Sequence, residues 1–175
     1  MIFNYTNNFQ FTTRLSINEK PIEVIKTTRL LGTVIQDDLR WDSNTKELVR
    51  KANARMELLR RVASFNPPID DLKIIYVMYV RSILEFSATV WHSSLTEENR
   101  NDLERVQKTA LKVILGQRYK TYKNALNLLN LETLDERREI LSLNFAKRTS
   151  KHPKLNKMFP LNVKSHSMDT RNYEK

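Results

Sequence analysis

Residues 30–41 read LLGTVIQDDLRW, and the fold changes character across this stretch. An apolar, strand-like run ends in Asp37 and Asp38, and three residues later the chain reaches Trp41. Before this point apolar side chains alternate with a period near 2; after it they recur about every 3.6 residues. The stretch is therefore the border between β and α structure. Adjacent carboxylates at a strand end also raise a chemical question, because two-metal phosphoryl transfer needs carboxylates converging on ions about 4 Å apart. Such a site would need a second acid-bearing strand and a strand returning after the turn. Upstream only Glu19 and Glu23 are acidic, and downstream Leu39-Arg40-Trp41 leads straight into a helix cap. The pair reads as a solvated turn from strand to helix. No catalytic residue is expected.

Working back from the border, Phe9–Ile17 and Ile22–Ile25 read as strands joined by the turn Asn18-Glu19-Lys20-Pro21. Arg29–Ile35 reads as a third strand, with Gly32 marking a bulge or a close backbone approach. Working forward, Asp42 or Ser43 can cap a helix that runs to about Ser64 with Leu48, Ala52, Met56, Leu59 and Ala63 on one stripe. Asn66-Pro67-Pro68 stops it. A second helix from Asp70 or Asp71 is apolar all round (Leu72, Ile75, Tyr76, Tyr79, Val80, Ile83, Phe86) and is expected to be central and buried. Ser94-x-x-Glu97 suits a capping box for a third helix ending at Gly116. Thr121–Leu129 is a short helix, and Thr133-x-x-Glu136 opens a last long one that ends before His152-Pro153. The expected fold is mainly α: a small antiparallel β piece of about three strands over residues 9–35, then an α-helical bundle of roughly four or five helices.

Composition bounds the chemistry. The 175 residues include no Cys, which removes disulfides, thiolate zinc sites and a cysteine nucleophile; His92, His152 and His166 are widely scattered. The first residues lack the regions of a signal peptide, and the longest apolar run, Ile74–Val80, is far shorter than a bilayer span. An intracellular protein with no membrane partner is expected. Thirty Lys+Arg against twenty Asp+Glu give +10, and the excess is uneven: residues 1–42 are neutral, so residues 43–175 carry all of it. Concentrated positive charge points to a polyanionic partner, nucleic acid before membrane, although basic surfaces also merely keep proteins in solution.

Several stretches, in order, resemble one family. RLLGTVIQDDLRW is similar to the strand that follows the catalytic palm in reverse transcriptases of non-LTR, jockey-type retrotransposons. KELVRKANARMELLRRV resembles that family's first thumb helix, and YVMYVRSILEFSATVWHSS the next one. LERVQKTALKVILG and LNLLNLETLDERREILSL continue the likeness, which spans about residues 9–160. The resemblance implies a β piece over 1–41 like the end of the palm with its primer grip, a thumb-like bundle over 42–118 and a helical connection over 119–160; the polar tail over 161–175 is expected to be disordered on its composition. It implies a parent activity of RNA-directed DNA polymerase with Mg2+, whose aromatic-x-Asp-Asp hairpin is expected to lie upstream of this chain. No cofactor and no activity are therefore expected of this chain alone. Leu31 and Gly32 map onto the primer grip. The implied partners are RNA/DNA or DNA duplex, bound without sequence preference, and a separate palm-and-fingers portion. The implied location is the nucleus or a cytoplasmic ribonucleoprotein.

A thumb clamps duplex through cations on the side of a helix opposite its apolar stripe. Around the first helix those are Lys46, Arg50, Lys51, Arg60 and Arg61. A second cationic stretch holds Arg105, Lys108, Lys112, Arg118, Lys120 and Lys123, with no acid between Arg105 and Leu131. Tyr119 and Tyr122 lie among these cations, either to stack on bases or simply to pack the bundle. Lys147, Arg148, Lys151, Lys154 and Lys157 form a third run on an exposed helix end. Such contacts reach phosphate and sugar, giving affinity and salt dependence but little sequence preference. Trp41 and Trp91 are assigned to packing between strand and bundle. A β piece without palm neighbours would leave an open edge and an apolar face, so self-association through residues 9–35 is expected. The competing reading is a basic helical protein-interaction module with no nucleic-acid role.

Overall fold

The computed structural model describes residues 16–23 and 25–157. The expected tail over 161–175 and the part of the first expected strand before Ser16 lie outside the described residues. The fold is mainly α, with small antiparallel β structure followed by a helical bundle.

The β structure is two tight hairpins. β1 (Ser16–Ile17) pairs with β2 (Lys20–Pro21), and Asn18 and Glu19 between them both take positive φ. β3 (Thr27–Leu30) pairs with β4 (Thr33–Gln36), in the register Thr27↔Gln36 to Leu30↔Thr33. The expected strand Arg29–Ile35 is thus folded in half. Its two-residue turn has Leu31 at φ 47° and Gly32 at φ 89°, as a type I′ turn requires, and Gly supplies one of those angles without a Cβ penalty. The expected strand at Ile22–Ile25 is not formed at Ile22, Glu23 or Ile25; Pro21 has no N–H with which to extend the pairing.

The aspartate turn follows. The Asp37 N–H donates to the Lys26 carbonyl (2.9 Å), and the Asp38 carboxylate accepts the Arg40 N–H (2.9 Å). Asp38 is spent on a local side-chain turn of the kind that redirects a chain. α1 (Asp42–Ala63) starts at once, with the Trp41 carbonyl accepting the Thr45 N–H. Neither Asp42 nor Ser43 caps it. The Gln36 side chain accepts the Ser43 N–H (2.8 Å), and the Asn44 side chain accepts the Val34 N–H (3.2 Å), so strand and helix terminate each other. α1 buries Leu48, Ala52, Met56 and Leu59, and its chain leaves through Asn66 at φ 51° and Pro67-Pro68.

The next helix is continuous but not uniform. α2 (Ile69–Ile75) passes into a π-helical segment, Tyr76–Arg81, and closes with α3 (Ser82–Leu84). Leu72, Tyr76, Val80 and Leu84 form its buried stripe, against α1 and α5. Burial on all sides does not occur: Tyr79 and Phe86 are 46% and 45% exposed, and Ile74 and Met78 more so. Neighbouring helices pack on one side only, so the other apolar side stays open. Ser87 at φ 53° breaks the helix before α4 (Ala88–Trp91) and a 3-10 turn, His92–Ser94. By length and composition alone, Ile69–Ser94 is apolar enough to cross a membrane; counting only the uninterrupted run Ile74–Val80 overlooks it. Arg81 and Glu85, ion-paired at 3.6 Å and largely buried, interrupt its apolar side chains.

α5 (Glu97–Leu115) is capped by Thr96, whose hydroxyl accepts the Asn99 N–H, two residues later than the expected Ser94. Gly116 ends it at φ 51°. α6 (Tyr122–Leu129) is capped by Thr121. α7 (Leu134–Lys151) opens with the expected reciprocal box, in which Thr133 and Glu136 each accept the other's backbone N–H. The described residues divide into two units after Ser142: those up to Ser142 hold the hairpins and the bundle, and those from Leu143 hold the end of α7 and a 3-10 turn, Leu155–Lys157.

Candidate nucleic-acid interface

The cations of α1 are interleaved with acids. Glu47 receives Arg50 at 3.0 Å, Arg29 at 3.2 Å and Lys51 at 3.3 Å. The hydrogen bonds from Arg50 and Arg29 hold its carboxyl down to about 2, so it is ionised at any working pH. Glu57 takes Arg60 at 3.3 Å and Arg61 at 3.9 Å. Lys46 and Arg55 are the α1 cations without a carboxylate partner among the described residues. Lys46, Arg50, Arg60 and Arg61 are all exposed, as expected, but four of the five predicted α1 contacts already face a carboxylate.

The second stretch differs. Arg105 pairs with Asp102 at 2.7 Å. Lys108 and Lys112 lie over aromatic faces instead, their ammonium groups 5.2 Å from the Tyr122 ring centre and 5.6 Å from that of Tyr119. Arg118, Lys120 and Lys123 are exposed on the α5–α6 link and the first turn of α6, with no carboxylate partner among the described residues. The structure therefore gathers Lys108, Lys112, Tyr119 and Tyr122 into one assembly. Tyr119 and Tyr122 are half-buried against the bundle core, so packing is the role the structure gives them.

Leu31 and Gly32 form the tip of the β3–β4 hairpin. Leu31 is 90% exposed in a left-handed conformation that is costly for a side chain bearing a Cβ. Gly32 has a local reason to lack one: a Cβ there would stand 3.1 Å from the Phe86 ring. Trp41 and Trp91 are both in the core, and the Trp91 indole N–H donates to the Phe86 carbonyl (3.0 Å).

Sequence reasoning missed a buried polar chain that seats α7. The Tyr76 hydroxyl donates to Gln107, whose amide donates to the Tyr122 hydroxyl (2.8 Å) and the Glu132 carbonyl (2.9 Å). Tyr122 in turn donates to Glu104, and that carboxylate accepts the Leu134 N–H at the start of α7 (3.1 Å). Burial, then the bond to Glu104, raises the Tyr122 phenol well above its ordinary value, and burial does the same for Tyr76. Beside this chain Arg138 is fully buried. Its Nε–H donates to His92 Nδ1 (3.3 Å), and its guanidinium lies 5.8 Å from the Trp91 ring centre. Its two terminal nitrogens find no hydrogen-bond partner among the described residues, the nearest acid being Asp135 at 3.7 Å. The only available signal was that Gln107 and Arg138 fall on otherwise apolar helix faces.

Among the described residues no three His, Asp or Glu side chains converge as a metal site would need. No family model, curated protein or solved structure matches the chain.

Proposed function

We propose that this chain is the thumb-and-connection portion of a retrotransposon RNA-directed DNA polymerase, holding primer–template duplex by electrostatic contact with its backbone. It would work beside a palm-and-fingers portion, with self-association through the β piece over residues 9–35 as a second contact. The carrying observation is that the whole +10 lies in residues 43–175; the described part, residues 43–157, folds as a helical bundle with most of its cations outward, Arg138 being the buried exception and Arg81 largely buried. Charge of that density on a rigid bundle meets a polyanion by releasing its counterions.

Fluorescence anisotropy with an RNA/DNA hybrid, across a salt series, tests the reading. Binding with a dissociation constant of about 10⁻⁴–10⁻⁶ M near physiological salt is expected, along with a steep negative slope of log K against log salt. Absence of binding at 50 mM salt would sink it. A specific observation favours the second reading, a protein-interaction module. A groove of ≈ 570 Å³ along the π segment is lined by Ile74, Val77, Met78 and Leu131 together with Lys73, Arg81, Asn130 and Glu132, and its exposed Ile74 and Met78 suit a partner surface. Binding that poly-glutamate competes away as well as nucleic acid does would favour it.

A further inference from the structure

We infer that the duplex backbone is held at the α5–α6 corner, by Arg118, Lys120 and Lys123 with Lys112 behind them, and not along α1. This rests on the proposed duplex binding and assigns it to one place.

Local charge is the first reason. From Arg105 to Lys123 the chain carries six cations and no acid, whereas α1 carries six cations with Asp42, Glu47 and Glu57 among them. Exposed ion pairs are individually weak, so the α1 arginines are free to move. The carboxylates remain, however. A phosphate approaching Arg50 or Arg61 meets Glu47 or Glu57 within one helical turn, and Glu47 stays ionised throughout. At the corner the Glu104 carboxylate is taken up by the Tyr122 hydroxyl and the Leu134 N–H, and among the described residues no carboxylate pairs with Arg118, Lys120 or Lys123.

The second reason is that the corner is electrostatically unfavourable as it stands. Lys120 and Lys123 flank the N-terminal end of α6, whose first turn holds no acid. A helix N-terminus carries roughly half a positive charge, so cations there cost about 0.3–1 kcal/mol where an anion would gain as much. A phosphate shared between them turns three like charges into a favourable set.

Rigidity is the third. The link is fixed at Gly116 by the end of α5 and at Thr121 by the α6 cap, and Tyr119 and Tyr122 are held under Lys112 and Lys108. Little freedom is lost when such a corner binds. Because both rings are engaged and Tyr122 is hydrogen-bonded to Glu104, neither is available to stack on a base. The contact is to backbone alone, indifferent to base sequence.

The test compares two variants of the full chain with equal loss of charge: Arg118→Gln/Lys120→Gln/Lys123→Gln, and Lys46→Gln/Arg50→Gln/Arg61→Gln. With RNA/DNA hybrid at 100 mM salt, the corner variant is expected to bind at least about tenfold more weakly, with a salt slope shallower by about 3, while the α1 variant stays within about threefold of the parent. Equal weakening, or a larger effect from α1, overturns the assignment while leaving duplex binding intact. No binding by the parent overturns both. Amine acetylation of the unmutated chain, read by mass spectrometry, is independent of any variant's folding. Hybrid should protect Lys120 and Lys123 and leave Lys46 reactive, and the reverse pattern counts against the corner.

Discussion

Helix α5 takes part in two interiors that differ in kind. With α1 it forms an apolar seam, where the buried side chains include Ala52, Met56 and Leu59 of one helix and Leu103, Val106 and Ala110 of the other. With the start of α7 it forms a polar seat, built from Glu104, Gln107 and Tyr122 and bordered by Arg138, His92 and Asp135. The seam gains its free energy from area removed from water, which is non-directional and indifferent to pH. The seat gains little net from each bond, yet every group in it must be matched or its desolvation is felt. The seam accounts for most of the stability, and the seat fixes where α7 begins and where Tyr122 is held.

The largest effect belongs to the seam. Leu103→Ala empties a fully buried position and should cost about 2–5 kcal/mol. Urea denaturation would show a lower midpoint with an unchanged slope, and the loss should be the same at pH 5 and pH 8. In the seat, Tyr122→Phe removes one hydroxyl but takes a partner from both Glu104 and Gln107. A cost of about 1–3 kcal/mol is expected from the acceptor and donor left behind. Thermal melts that find this variant as stable as the parent would mean the seat is wet and the polar chain incidental.

The two interiors were not equally legible. A stripe at spacings of three and four is a one-dimensional signal, so Leu48, Ala52, Met56 and Leu59 could be read directly. The Thr133 box and the Gly116 stop were also readable, because caps act over three or four residues, whereas the caps expected at Asp42 or Ser43 and at Ser94 fell to Trp41 and Thr96 instead. The seat joins Tyr76, Gln107, Tyr122 and Leu134, partners brought together only by the fold, and no local pattern announces it. The hairpin at Leu31-Gly32 lay between these extremes. Leu at the first turn position fits a left-handed angle poorly, so the stretch looked like an uninterrupted strand. The cations were visible at once, but their value was not. Whether Arg50 faces Glu47 or solvent depends on rotamer and on Arg29, which lies eighteen residues upstream of Glu47 in another element.

A smaller effect separates the interiors by pH. His92 is buried, accepts a hydrogen bond from Arg138 on α7, and has Asp135, Arg100 and Glu139 nearby. Burial and then the Arg138 charge hold its pKa below the ordinary 6.5. The folded state therefore binds the proton less readily than the unfolded chain. Stability from a neutral His92 is complete above about pH 6.5 and declines as the pH falls below it, by no more than about 1.4 kcal/mol per pH unit. The depressed Glu47 and Glu136 carboxyls titrate at lower pH, which leaves the window from pH 6.5 to 5 to the histidine. Denaturation curves between pH 7.5 and 5 should show this decline in the parent and in Leu103→Ala alike, and lose it in His92→Gln. A decline that persists in His92→Gln would assign it elsewhere.

The smallest expected effect is the sharpest test of what the seat is for. Arg138→Met keeps the length and apolar body of the side chain while removing its charge. What is lost is the ring contact with Trp91, worth up to about 2 kcal/mol when desolvated, the bond to His92, worth about 1, and the 3.7 Å ion pair with half-exposed Asp135, worth up to about 1. What is gained is release from holding a charge in the interior with two nitrogens unmatched, a penalty of several kcal/mol in real proteins. These nearly cancel, so the variant should lie within about 1 kcal/mol of the parent, whereas Arg138→Ala should cost about 2–4 kcal/mol through the cavity it opens. The methionine variant would also raise the His92 pKa, because the cation that depresses it is gone, and would flatten the acid decline. If Arg138→Met instead cost as much as Arg138→Ala, the guanidinium would be a matched cornerstone of the seat, and the contrast between an apolar seam that stabilises and a polar seat that positions would fail.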